Sequence, residues 1–402
     1  MKNWIERKLG EVCDFQGGSQ PPKSNFIFEQ KKGYVRFLQI RDFGSDKNIT
    51  YIPESKKNRY CNEEDILLGR YGASVGKVLI NKAGAYNVAV MKTIPNEEYL
   101  SKKYLFFYLT SDKFQGRLSK VASRSAQDGF SKNDIYDFPI LLPPVSEQQR
   151  IVLILDEAFT TIIKAKAKVE QNLKNAKELF ESYLQSVFEN KGEGWEEKNM
   201  EDVVDEKCTL SYGIVQPGEE YPDGLPIIRP TDLTNRFIDL KGLKKINPAL
   251  ADGYKRTKLI GDELLLCVRG STGIVSIALK ELNGANVTRG IVPIRFNSQI
   301  INQEFGYFLL ISNYLQKQIK AKTYGTALMQ INIGDLRKIQ VRYPSLKMQS
   351  TIIQNLEALS VETQRLQANY QQKINNLEEL KKSILQKAFS GELNYANKKV
   401  LA

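Results

Sequence analysis

The sequence predicts an α+β protein built on one plan used twice: an α/β domain, a long coiled-coil helix, a second α/β domain and a second long helix. Three observations predict this. Distant stretches repeat at a nearly fixed spacing. Two segments carry an apolar seam of alternating four- and three-residue steps over about six heptads. The segments before them mix short alternating apolar runs with helical ones.

The chain has 402 residues, enough for two or three domains, and its 42% hydrophobic and 26% charged content suits ordinary globular cores. It lacks a run of eighteen apolar residues, so no membrane span is expected. The start, MKNWIERKLGEV, lacks the apolar core of a signal peptide, and a cytoplasmic location is expected. Cys13, Cys61, Cys208 and Cys267 have no CxxC spacing and are read as reduced core thiols rather than zinc ligands. There is no histidine, which excludes Ser–His–Asp and Cys–His catalysis and most catalytic zinc sites. Carboxylate and lysine chemistry stay open. The net charge of +12 suits a polyanion, although a basic proteome would give the same total.

The repeat fixes the architecture. Trp4 to Val12 returns as Trp195 to Val203, an offset of 191, and Phe37 to Phe43 returns loosely as Ile227 to Leu233. Tyr104 to Leu109 then matches Phe305 to Leu310, and from there the offset stays at 201: Pro143 with Pro344, Gln148 with Gln349, Leu155 with Leu356, Leu179 with Leu380, Phe188 with Phe389. The expected boundaries are 1–143 for the first domain, 144–191 for the first helix, 192–344 for the second domain, 345–393 for the second helix and 394–402 for a tail.

In the first domain, Val35 to Ile40, Asp65 to Leu68, Lys77 to Ile80 and Val88 to Ile94 read as strands, and Tyr104 reads as opening a helix that runs on to Val121. The second domain repeats this with strands Leu225 to Arg229, Glu263 to Val268, Ile274 to Ala278 and Gly290 to Phe296, and a helix from Glu304 to Ile319. The strand order does not follow from the sequence.

The first long helix opens after Pro143-Pro144, with Ser146 expected as N-cap and Gln149 reaching back in a capping box. Its seam is Ile151, Leu155, Ala158, Ile162, Ala165, Val169, Asn172, Ala176, Leu179 and Tyr183. The second seam is Ile352, Leu356, Leu359, Thr363, Leu366, Tyr370, Lys373, Leu377, Leu380 and Ile384. Asn172 and Lys373 occupy equivalent polar positions. They are either tolerated defects or buried groups that fix register. Only Asn190 to Gly194 separates the first helix from Trp195. A helix of about 44 residues spans about 65 Å, so an antiparallel pair with a domain at each end and an internal pseudo-two-fold axis is expected.

The loops hold the candidate binding residues. A flexible Gly/Pro turn, Phe15 to Lys23, carries Lys23. The run Gly69 to Lys77 carries Arg70, Tyr71, Ser74 and Lys77, and its counterpart Val268 to Gly273 carries Arg269, Ser271 and Thr272. The first resembles a phosphate loop only superficially: its glycine spacing is wrong and Val78 replaces the required Ser or Thr. Either a structural turn or close approach to a partner explains the glycines. Two more loops recur, Ser123 to Gly129 with Arg124 and Gln127, and Thr323 to Gln330 with Tyr324 and Gln330. Arg to guanine and Gln to adenine are the bidentate pairings that read base edges, and Lys and Ser/Thr position the backbone. For any one of these side chains taken singly, a solvated loop residue is the favoured reading. The helix from Ser146 to Asn190 holds six basic against seven acidic residues, and Lys347 to Ser390 six against four, so nearly all the positive surplus lies in and around the two domains.

These residues carry a resemblance. Two W…LGEV-like domain starts, the helix opening Pro143-Pro-Val-Ser-Glu-Gln-Gln149, and the closings Tyr183 to Phe188 and Ser383 to Leu393 resemble the specificity subunit of type I restriction–modification systems over nearly the whole chain. The second opening, Ser345 to Gln349, keeps the Gln and loses the Glu. The resemblance implies two target-recognition domains, each reading half of a bipartite double-stranded DNA site, with the helices setting the spacer. It implies two modification subunits carrying S-adenosylmethionine, restriction subunits carrying ATP and Mg, and no catalysis or bound cofactor in this chain. Three rival readings are a free-standing methyltransferase, a coiled-coil scaffold and a repressor of the same shape. The first would need a cofactor loop and an Asn/Asp-Pro-Pro-aromatic motif, and Leu142-Pro-Pro-Val145 is not one.

Overall fold

The computed structural model describes residues 4–123, 129–189, 192–325 and 329–393. It divides into two compact units, and each draws on both long helices. Unit one joins residues 1–170 to 372–402, and unit two is 171–371. The compact units therefore cut through the middle of each helix rather than at its ends. Among the described residues no helix is long and apolar enough to cross a membrane.

Unit one closes its domain with an antiparallel pair of its first and last strands, β1 (Ile5–Lys8) and β10 (Pro139–Leu142). Between them lie two four-stranded sheets. One has the order β2-β9-β6-β7, formed by Cys13–Gly17, Val90–Pro95, Leu67–Gly69 and Val78–Leu79. The other has the order β4-β3-β8-β5, formed by Tyr51–Pro53, Tyr34–Leu38, Gly84–Tyr86 and Tyr60–Cys61, with β3 and β8 parallel. Unit two repeats the plan. Strands β11 (Glu196–Asn199) and β20 (Gln340–Tyr343) close it. Its sheets have the orders β13-β12-β16 (Lys244–Ile246, Leu225–Ile228, Asn286–Val287) and β15-β14-β17 (Val275–Ile277, Leu264–Cys267, Ile291–Ile294). A small hairpin pairs β18 (Thr323–Tyr324) with β19 (Gln330–Ile331).

The single helix expected after each sheet is two helices. Helices α1 (Lys102–Thr110) and α2 (Asp112–Ala122) break at Ser111. The first long helix is α3 (Val145–Glu189), and in unit two α4 (Gln303–Ile311) and α5 (Asn313–Ala321) break at Ser312. Each serine is extended and buried, and its hydroxyl donates to a carbonyl three residues back, Tyr108 or Leu309, at 2.6 Å. A serine that offers the backbone this local bond competes with the helix, and an apolar periodicity alone does not register it.

The last helix is α6 (Leu346–Ser390). Inside each unit the start of one long helix lies beside the end of the other, running antiparallel. In unit one Lys166 pairs with Glu378 at 2.5 Å, Lys381 lies over the Phe159 ring, and Ile151, Val152 and Leu155 share a core with Leu385, Ala388 and Phe389. In unit two Leu184 and Phe188 share a core with Ile353 and Leu356. The closing aromatic of each helix enters a domain core: Phe389 packs on Tyr104 and Tyr108, and Phe188 on Trp195 and Phe305.

Three helix expectations need correction. Helix α3 begins at Val145 with its first turn closed on the Pro144 carbonyl, so Ser146 is not its N-cap and Gln149 closes no box. Gln148 is the working residue. Fully buried, it accepts from the Ser101 amide at 2.9 Å and donates to the carbonyls of Tyr99 and Pro143. Gln349 does the same with Asn302, Ile300 and Pro344. The seam also shifts. Leu179 is 50% exposed, and Phe180 and Leu184 of the same helix pack on the core; Leu380 is 40% exposed, and Leu385, Ala388 and Phe389 are the buried residues of its helix end. Lys373 is exposed while Ile374 beside it is half-buried, so the second helix has no buried polar register group there. Asn172 is half-buried.

Candidate nucleic-acid interface

The loop Gly69 to Lys77 joins β6 to β7 and is closed at its neck by backbone bonds from Gly69 to Lys77 and from Gly76 to Gly69. Gly72 and Gly76 have φ of 57° and 77°, the left-handed region that favours glycine. Tyr71 bridges Gly129, and Phe130 N donates to the Arg70 carbonyl, so the described residues that follow the loop of Arg124 meet this one. In unit two the corresponding loop joins β14 to β15, Arg269 bridges Gln330, and Gly270 N donates to Met329 O at 2.8 Å.

Arg70 is half-buried. Its Nε donates to Phe130 O and one terminal nitrogen to Val88 O, both at 3.2 Å, and its guanidinium lies 5.1 Å from the Tyr71 ring centre. Its other terminal nitrogen takes no part in those two bonds. Arg70 thus ties three segments together and holds the exposed Tyr71 against them. Lys77 is exposed on the same loop, and Lys23 is exposed in the single 3-10 turn Lys23–Asn25 that ends the Gly/Pro turn. Ser74 is a correction: it is 6% exposed, its carbonyl lies where a Cβ on Gly69 would sit, and it cannot reach a partner. Arg124 and Gln127 lie outside the described residues.

In unit two Arg269 is half-buried with its Nε unpartnered among the described residues. Ser271 is exposed, while the Thr272 hydroxyl donates inward to Met329 O at 3.2 Å. Gln330 donates to the exposed Tyr324 hydroxyl at 3.2 Å, which in turn donates to Asn332. The sequence reading missed Arg289. It is exposed beside these residues, 5.9 Å over the Tyr212 ring, whose hydroxyl donates to Ile331 O. Burial raises the pKa of that hydroxyl, against the lowering pull of Arg289 and Arg269. An arginine followed by glycine at the head of a strand was the available signal. On the unit-one side Asn87 matches Thr288, as the bridges Ser19–Asn87 and Ile214–Thr288 show, so the place of Arg289 is taken by the uncharged Val88, whose carbonyl accepts from Arg70.

Several scaffold cations are neutralised: Arg36 by Asp42 and Asp46, Lys92 by Asp65, Arg229 by Asp232, Arg236 by Glu357, Arg295 by buried Glu263. Among the described residues, Lys23, Arg70, Lys77, Arg269 and Arg289 have no carboxylate partner. Unpaired cations beside glycine turns, amides and aromatic rings can bind phosphate and donate to base edges. Among the described residues no group of acidic residues and cysteines could hold a metal. The four cysteines are free and buried, and burial pushes the Cys13 thiol up to about 12 and Cys61 to about 11, away from reactive thiolates.

The model of the type I restriction modification DNA specificity domain matches residues 1–175 and again 192–376. The chain belongs to that family. It is similar to the EcoBI specificity subunit of Escherichia coli, 25% identical over 97% of this chain and 86% of that subunit. It is also similar to the MjaVIII specificity subunit of Methanocaldococcus jannaschii, 22% identical over 98% and 94%. Two solved chains share its fold: one from work on assembly and conformational transition of the type I R-M system (TM-score 0.76, 18% identity, 98% and 99% covered), and the HsdS subunit from Thermoanaerobacter tengcongensis (TM-score 0.64, 18% identity, 98% of each). As a specificity subunit the chain is the DNA-recognition component of a type I restriction–modification assembly and is not itself an enzyme.

Proposed function

We propose that each domain reads one half of a bipartite DNA site through its paired loops, Arg70, Tyr71 and Lys77 in unit one and Arg269, Arg289 and Gln330 in unit two. The supporting observation is that equivalent loop pairs in the two units expose cations with no carboxylate partner among the described residues, yet differ in sequence. Equal scaffolds with unlike loops suit two different half-sites. The helices, each 45 residues and about 67 Å long, set the spacer between them. They also dock two modification subunits, for which the equivalent exposed Leu179 and Leu380 offer one apolar contact each. S-adenosylmethionine belongs to the modification subunits, ATP and Mg to the restriction subunits, and the assembly works in the prokaryotic cytoplasm.

The test is methyl transfer by the chain assembled with modification subunits, on DNA carrying single-base changes in either half-site. Arg70→Ala should relax one half-site and Arg269→Ala the other, each by about 1–3 kcal/mol where a bidentate contact is lost. An Arg70 substitution that altered preference in both halves would overturn independent reading.

A further inference from the structure

Gln115 and Gln316 stand at the same repeat position, 201 residues apart, and make the same contacts in different domains. The Gln115 side-chain amide donates to Gly76 O at 2.8 Å and to Leu109 O at 2.5 Å. The Gln316 amide donates to Gly273 O at 2.8 Å and to Leu310 O at 2.7 Å. Leu109 and Leu310 end helices that stop at Ser111 and Ser312, so their carbonyls have no helical amide to accept from. Each glutamine spends both amide hydrogens, one on a helix end and one on a loop neck.

The loop neck leads to the candidate reading residues. Gly76 N bonds Gly69 O, one residue before Arg70, and Gly273 N bonds Cys267 O, two residues before Arg269. Both glycines have positive φ, 77° and 99°, and a Cβ on either would lie 2.4 Å from the glutamine Oε1. Loop and latch are therefore fitted to each other twice over, in domains whose loops otherwise differ.

We infer that Gln115 and Gln316 are positioning residues for base reading, each holding the arginine-bearing loop of its own domain and so setting discrimination in its own half-site. The inference rests on the loops being readers. A glutamine that only stabilised its domain would lower the unfolding temperature without changing base preference.

The experiment uses the full chain with its modification subunits and measures methyl transfer on cognate DNA and on single-base variants of each half-site. Gln115→Met keeps the length and removes the donor. It should cut discrimination in one half-site about tenfold, the scale of one lost buried hydrogen bond, and leave the other unchanged. Gln316→Met should do the converse. Gln115→Glu should be worse than Gln115→Met, because a carboxylate would face two carbonyl oxygens. Arg70→Ala with Gln115→Met should lose little more than Arg70→Ala alone, since both act on one contact. Unchanged discrimination in Gln115→Met, with Arg70→Ala still effective, would overturn the latch and leave the reading loops standing. No effect of Arg70→Ala would overturn the reading itself, and the latch with it. Loss in both half-sites, or fully additive losses, would mark the glutamine as a general stabiliser and overturn the inference.

Discussion

Arg70 and Ser74 sit four residues apart on one loop, and their environments divide what a substitution can do. Arg70 is tied to Phe130 and Val88 carbonyls, so its removal releases three segments as well as a cation. Ser74 faces inward, so Ser74→Ala should leave base preference unchanged in the half-site methylation assay. The sequence made both residues candidates because a glycine-rich polar run shows composition and not direction. It could not reveal Arg236 either. That side chain makes two bonds to Glu357 and lies about 5 Å from the Tyr307 and Phe308 ring centres. The pair is partly exposed, so its charge is screened, but the stacked stem adds packing. Arg236→Ala should destabilise unit two by about 1–2 kcal/mol, read as a lower denaturation midpoint. An unchanged midpoint would show the cluster to be energetically neutral.

At the level of elements, repetition was legible and local breaks were not. The 201-residue offset and the four-three spacing placed both long helices to within three residues at each end. Their partners decide the rest. Near the end of the first helix the buried face follows the domain core rather than the heptad, which is why Phe180 replaces Leu179. In the sequence Gln148 and Gln349 are matched positions of the helix-opening motif with no role attached, yet each satisfies three backbone groups around a helix start. Gln148→Leu would leave those groups buried without partners, at about 1–3 kcal/mol each before relaxation, and hydrogen exchange around residues 99–101 should accelerate. The spacer role belongs here too. Four residues added after Lys168 lengthen α3 by about 6 Å, a little under two base pairs at about 3.4 Å per step. The spacer between half-sites should change and the half-sites stay the same. An active assembly that kept its spacer would show that the helices do not measure it.

For the whole molecule, duplication and charge carried the reading. A +12 chain whose helices are nearly balanced has its surplus in the domains, and the structure places unpaired cations on their loops while pairing many of those in the scaffold. The absence of histidine limited catalysis from the start, and membership in the specificity family answers that question. What the sequence withheld was strand order, since pairing across more than a hundred residues, as between Ile5 and Leu142, leaves no local periodic trace. The most direct test of the account is to map methylated bases across the host genome by long-read sequencing, with and without this chain. The account predicts one bipartite motif, two unlike halves around a spacer of fixed length and free sequence, that vanishes when the chain is removed. A single contiguous motif, or a bipartite one that persisted without the chain, would contradict it.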